Sequence, residues 1–311
     1  MLRLFLVLLL VLPHALFADG QRFELTRGKS TLEVELSVQF ERRAQEELRT
    51  WLEALADSLL LAYGHWPRER WRIQVLPASR TGSDPIPWAQ VNRGSVDSVT
   101  FYTAIDPDAD ELRTAWTGYH ELAHLLIPYQ GWGDKWFSEG VATYYQNLLQ
   151  ARAGVFDEQG MWQKLHEGFQ RGAEESRFDD EPLTKVSAGM YARGGFMRVY
   201  WSGAWYFLAA DTRLRQQSGG ELSLDKALAR LNACCADEQL SVEDMVKRLD
   251  RLNRVVLFEP LYRQVRSGRG MPDHLPLFGS LGIRVQDDQV VLQELGPGAR
   301  LRSSIARGEA L

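Results

Sequence analysis

The chain has 311 residues, 45% of them hydrophobic, enough for one sizeable core or one core with a small appendage. Its 36 Lys and Arg are outnumbered by 41 Asp and Glu, giving a net charge of -5. The cations are scattered and form no basic stripe, which argues against a nucleic-acid partner. Ten Trp residues are many for this length and read as core and groove-lining side chains.

The chain opens like an export signal. Arg3 precedes an unbroken apolar run, Leu4 to Leu12, which Pro13 ends, and Ala18 stands before Asp19-Gly20 as a cleavage residue. The run is shorter than the ~20 residues of a bilayer span, so residues 1–18 are expected to be removed, leaving no stable membrane span. An uncleaved N-terminal anchor is the alternative. The expected destination is the periplasm or the exterior.

From Gln21 to Phe40 apolar and polar residues alternate as in strands, with Leu32, Val34, Leu36 and Val38 on one side. Arg42 to Tyr63 reads as an amphipathic helix stopped by Gly64. Trp71 to Val75 is a short strand, Ala78 to Pro87 a loop rich in Gly, Pro and Ser, and Val99 to Ile105 a further strand. Asp108, with Glu111 three residues on, caps a helix expected to run to Ile127, before Pro128. After the turn Gly131-Trp132-Gly133, Asp134 is placed to cap a second helix ending near Gly154. A third helix covers about Asp157 to Arg171. Gly172 to Gly195 reads as a long polar loop bordering a groove. Helices follow at about 196–217, 224–232 and 242–252, the last two opened by Ser223 and Ser241, and Val255 to Val265 is a further apolar segment. The uncharged run Val199 to Ala210 is too short to span a membrane and reads as buried helix. The tail has two short strand-like runs, Gly282–Val285 and Val290–Leu295.

Strands first and helices after predict an α+β fold, with a small N-terminal mixed sheet followed by a mostly helical half. Residues 19–270 are expected to form one domain and 271–311 a short C-terminal tail. The only cysteines, Cys234 and Cys235, are too few for a four-cysteine zinc site. In an oxidising compartment they can pair with each other or cross-link chains; otherwise they are two small side chains near a helix end. His65, His166 and His274 have no evident partner in the sequence and read as surface or core residues.

The densest chemistry is His120-Glu121-Leu122-Ala123-His124. Two histidines four residues apart on a helix leave the same face and can grip one metal ion, and Glu121 beside them can reach a metal-bound water. Trp136-Phe137-Ser138-Glu139-Gly140 then places a carboxylate early in the next helix. Two antiparallel helices joined by a short turn can bring Glu139 onto the histidines, and two His with one Glu is a catalytic zinc set. Gly140 would let two backbones approach closely. Glu121 would act as general base, passing a water proton to the leaving amine of a cleaved peptide. An oxyanion donor would come from Tyr191 or a tyrosine of the helix at 196–217, where Tyr200 also fits a core stripe with Phe196, Val199 and Phe207. Thr143, one turn after Glu139, is placed to hydrogen-bond a ligand. Strand Val99–Ile105 is the expected edge strand beside the substrate.

Residues 117–154, TGYHELAHLLIPYQGWGDKWFSEGVATYYQNLLQARAG, resemble gluzincin metallopeptidases. The likeness is closest to the glycyl aminopeptidase family and more distant to membrane alanyl aminopeptidase (aminopeptidase N). It continues through Val199-Tyr200-Trp201-Ser202-Gly203-Ala204 and Arg213-Leu214-Arg215 to Ser223-Leu224-Asp225. The resemblance implies a thermolysin-like catalytic domain and one Zn2+ per chain held by His120, His124 and Glu139. It also implies general base Glu121 and, from a Tyr-x-x-Gly-Ala segment, the transition-state tyrosine Tyr200. The chain departs from these families in three ways. The segment between His124 and Glu139 is shorter than usual. The Gly-x-Met-Glu-Asn motif that binds a free amino terminus is missing, and Val96–Thr103 offers only Asp97 as an acid. The tail leaves room for at most a remnant of a PDZ-like module, and the N-terminal β-domain is much reduced. The expected function is zinc-dependent hydrolysis of peptide bonds in a peptide or protein substrate by an exported, aminopeptidase-like enzyme. An endopeptidase of the same mechanism and a non-catalytic zinc-containing binding protein are the alternatives.

Overall fold

A computed structural model describes residues 21–78 and 84–310; the expected export signal lies outside them. Five strands form one sheet in the order β1 (Arg22–Arg27), β2 (Ser30–Leu36), β3 (Arg70–Pro77), β5 (Asp97–Thr103), β4 (Trp88–Asn92). The three inner strands run parallel, and both outer strands pair antiparallel to their neighbours. The alternation read from the sequence sets one face. Val34, Ile73 and Val99 lie in one register row and Leu36, Val75 and Phe101 in the next, all buried. Between β2 and β3, α1 (Arg42–Ser58) covers this face with Leu48, Trp51, Leu52 and Leu55; Trp51 meets Phe101 edge-on at 5.3 Å. The other face carries Glu33, Glu35, Arg72 and Gln74.

The expected helix over Arg42–Tyr63 is two pieces, α1 and α2 (Leu60–Tyr63), closed by Gly64 at φ 74°. The edge beside the helical half is β4, not the strand at Val99–Ile105, which lies inside the sheet as β5. The expected single helix from Asp108 to Ile127 is also divided. Asp108 does cap, accepting from the Glu111 amide at 2.9 Å, but α3 (Ala109–Thr114) ends at Ala115, whose ψ of 122° is extended. The chain restarts as α4 (Trp116–Ala123) and tightens into a 3-10 turn, His124–Leu126.

The helical half is built on two long helices, α5 (Lys135–Arg152) and α8 (Phe196–Ser218). They touch at two glycines: a methyl on Gly140 would lie 2.4 Å from the Gly203 Cα. Around them pack α6 (Glu158–Glu174), capped by Asp157, and α7 (Leu183–Arg193). The segment 172–195, expected as a loop, thus holds a helix, because Leu183, Val186 and Met190 share one buried face. Then come α9 (Leu224–Cys235) and α10 (Val242–Asn253), capped by Ser223 and Ser241 as expected, and α11 (Phe258–Ser267). Cys234 and Cys235 are bonded to each other. The tail forms α12 (Leu275–Ser280), the hairpin β6 (Ile283–Gln286) and β7 (Gln289–Leu292), and α13 (Pro297–Arg307). It packs on the helical half: Phe278 meets Trp162 edge-on, and Arg302 pairs with Glu158 at 2.7 Å. His166 and His274 are partners, Nδ1 to Nε2 at 2.8 Å across α6 and the start of α12. Among the described residues no helix is long and apolar enough to cross a membrane.

Candidate metal centre

The break at Ala115 and the turn after Ala123 leave the motif on a short rod. His120 and His124 remain one turn apart, with ring centroids 5.0 Å apart and planes at 87°. A clamp holds the end of this rod. Arg68 donates to the Leu125 and Ile127 carbonyls, Arg93 to the His124 carbonyl, and both guanidiniums meet Asp97 at 2.8 Å. These bonds satisfy carbonyls that the helix end leaves free. Burial would push the Asp97 carboxyl up, but the two arginines outweigh it and hold it below its ordinary value.

Across the turn, Asp134 starts α5 differently from expectation. It sits at φ 44° and its side chain caps no amide. Its carboxylate instead accepts from Trp136 Nε1 at 3.1 Å and Tyr262 Oη at 2.6 Å, fixing the helix start to α11. Glu139, in the second turn of α5, then faces both histidines. Its Oε2 is 3.2 Å from His120 Nε2 and 3.8 Å from His124 Nε2. One ligand atom from each of the three lies within 4.8 Å of the others, and they form the one group of at least three such residues found among the described residues.

These atoms fit a zinc ion. Ligands 2.0–2.1 Å from a tetrahedral zinc lie about 3.3 Å from one another, between the two spacings seen. The outer nitrogens are also engaged. His120 Nδ1 bonds Gln146 Oε1 at 2.8 Å and His124 Nδ1 bonds Ser138 Oγ at 2.9 Å. With Nδ1–H donating outward, each Nε2 turns its lone pair inward, as metal binding requires. Thr143, expected in this supporting role, is not in it: its buried hydroxyl has no hydrogen-bond partner, and Gln146, one turn further on, makes the bond.

The charges agree with the geometry. Burial pushes His124 down to about 3, against the pull of Glu139. Burial would lower His120 as well, but the Glu139 carboxylate beside it raises it; a proton and a metal would compete for that pair. Burial would raise Glu139, and the histidines and the Tyr200 hydroxyl keep it low. Glu121, half-buried, accepts from the Val91 amide of β4, and burial pushes its carboxyl up to about 7. Tyr200 stacks on His120, with centroids 5.7 Å apart and planes at 17°, and hydrogen-bonds Glu139. Burial, then the Glu139 charge, raise its hydroxyl well above the ordinary tyrosine range. Tyr191 lies further out, exposed, at the rim.

All five expected residues, His120, Glu121, His124, Glu139 and Tyr200, thus come together at one place. Gln146, Ser138, Arg68 and Arg93 were missed. Only Gln146 carried a readable signal, since it lies seven residues after Glu139 on the same helical face.

Comparison with known proteins follows the same lines. The family model of M61 glycyl aminopeptidases matches residues 132–218, a span that holds Glu139 and Tyr200 and begins after His124. No curated protein matches the chain. Among solved structures, an aminopeptidase N family protein from Idiomarina loihiensis superposes with a TM-score of 0.65 at 15% identity, covering 86% of this chain and 50% of its own. An M1 zinc metallopeptidase from Deinococcus radiodurans gives 0.53 at 19% identity, covering 82% of this chain and 53% of its own. A mutant of that enzyme bound to a Tyr-Ser-Ala substrate gives 0.52 at 19% identity, with the same coverage. The chain spans about half the length of these structures. It shares their α+β fold, a mixed sheet followed by a helical half, and over residues 132–218 it is similar to the glycyl aminopeptidases.

Proposed function

We propose that the chain is a zinc-dependent peptidase. The observation that carries this is the convergence of His120, His124 and Glu139, from two helices, beside a carboxylate that is not part of the cluster. His120, His124 and Glu139 would hold the ion. The chemistry it supplies when bound is acidification of water and polarisation of the peptide carbonyl. Glu121, beside the ligands at the edge of β4, takes a proton from the attacking water and delivers it to the leaving amine. Tyr200, whose ring stacks on His120, places its phenol to donate to the oxyanion forming on the former carbonyl. The edge strand β4 offers main-chain partners to an extended peptide. Export belongs to the same reading, supported by the apolar run at Leu4 to Leu12.

The likeness to glycyl aminopeptidases supports removal of N-terminal residues. One observation favours internal cleavage instead: Asp97, the acid nearest the usual amine-binding stretch, is already held by Arg68 and Arg93. Peptides with free and blocked amino termini separate the two. The function itself is tested by metal content and activity on a peptide library, for wild type and Glu121→Gln. The variant is expected to keep one zinc and lose activity by ~10²–10⁴-fold. Equal activity in the two proteins would refute the mechanism.

A further inference from the structure

We propose that Lys135, held between Trp132 and Tyr191 at the mouth of the site, receives a carboxylate of the substrate, so that peptides with a negative charge beside the scissile bond are preferred. This rests on the peptidase reading. Lys135 opens α5 one turn before Glu139, so the two share a helical face, with Cβ atoms about 5–6 Å apart. Its ammonium lies 4.0 Å from the Tyr191 ring centroid and 5.4 Å from that of Trp132. Those rings are among the most exposed large apolar side chains, Trp132 at 83% and Tyr191 at 66%, and core packing does not explain them. Tyr191 also leads inward: it meets Phe196 edge-on, Phe196 meets Tyr200 edge-on, and Tyr200 stacks on His120.

The cation has no carboxylate of its own among the described residues. Glu139 faces the histidines, and Asp134 is taken by Trp136 and Tyr262. Two rings attract the ammonium and displace water from two of its sides, which leaves N–H donors for an arriving acceptor. The amino end of an 18-residue helix adds positive potential at the same point. Meanwhile the acid that could have drawn a substrate amine, Asp97, is neutralised by two arginines. The mouth therefore suits anionic peptides better than cationic ones. The carboxylate can come from an Asp or Glu side chain or from a free C-terminus, both of which offer the same pair of oxygens.

The test uses fluorogenic peptides that differ only in carrying Glu or Gln at one position on either side of the bond, each as C-terminal acid and amide. Wild type, Lys135→Met and Lys135→Glu are compared with zinc loading verified. In wild type, one position is expected to favour Glu over Gln by roughly tenfold in kcat/KM, through KM, as for one half-exposed charge-assisted contact. The preference should shrink with added salt. Lys135→Met should bring the ratio to about one and Lys135→Glu should invert it, in keeping with the sign of the charge. A preference between acid and amide forms, lost in Lys135→Met, would assign the C-terminal carboxylate as the source. Quenching of intrinsic fluorescence by a Glu peptide in Glu121→Gln, absent when Trp132→Phe is added, reads binding without turnover. No preference in wild type, or one that survives in Lys135→Met, overturns the proposal. Failure to cut any peptide overturns the peptidase reading first, and is distinguishable for that reason.

Discussion

Replacing Gly140 by Ala should damage the site more than the fold. The new methyl would lie 2.4 Å from the Cα and 2.5 Å from the carbonyl carbon of Gly203. Carbon pairs rest at about 3.5–4.0 Å, so α5 and α8 must part by about 1 Å. That separation opens next to Glu139 on one helix and three residues after Tyr200 on the other. Overpacking of this kind costs about 1–3 kcal/mol. Alanine returns about 1 kcal/mol of helix propensity, so the net loss in stability should be no more than about 2 kcal/mol. A 1 Å misplacement of reacting groups, in contrast, can cost ~10²-fold in rate. The assay is a urea midpoint, zinc content and kcat/KM on a cleaved peptide, with Gly133→Ala as control, since nothing lies within 4 Å of a methyl there. Gly140→Ala with wild-type midpoint and wild-type kcat/KM would refute the claim that the two-helix crossing sets the site.

Tyr200→Phe should keep zinc and lose roughly 10²–10³-fold in kcat, the usual effect of removing one oxyanion donor; unchanged kcat would assign Tyr200 to packing on His120. Gln146→Ala and Ser138→Ala should each weaken zinc binding by about 10–100-fold in a chelator competition, because each frees an outer histidine nitrogen. Thr143→Val, at a hydroxyl without a partner, should not. The His166–His274 pair should make the protein sensitive to acid. Burial, then the neighbouring His166, push His274 from 6.5 down to about 4 against the pull of Asp273; burial also lowers His166, against Asp288 and Glu167. The unfolded chain therefore binds more protons between those values, so stability present above pH 6.5 is lost as the pH falls toward 4. The urea midpoint of wild type should drop more across that window than that of His274→Phe; parallel curves would show that the pair stays uncharged or does not matter.

The parts of the site that could be read from sequence were those in which one helix dictates the geometry. His120 and His124 needed only a 3.6-residue repeat, and that survived even though the helix is cut at Ala115 and tightened at His124. Glu139 needed only a short turn before a second helix. The segments that were misread are those where tertiary partners decide. Trp88 to Asn92 is a half-exposed edge, with no apolar face to mark it, and becomes a strand by pairing with β5. Leu183, Val186 and Met190 have helical spacing, but Glu, Asp and Gly on both sides masked it. Asp97 looked like a free acid because the arginines that hold it stand 29 and 4 residues away, and only the fold brings them together.

Arg152, at the far end of the ligand helix, donates to the Ile305 and Ala306 carbonyls, 153 and 154 residues later, and to Asp225. The tail is thereby part of the same packed unit as the ligand helix. Removing it would leave the Arg152 guanidinium with Asp225 and the Leu61 carbonyl as its remaining partners.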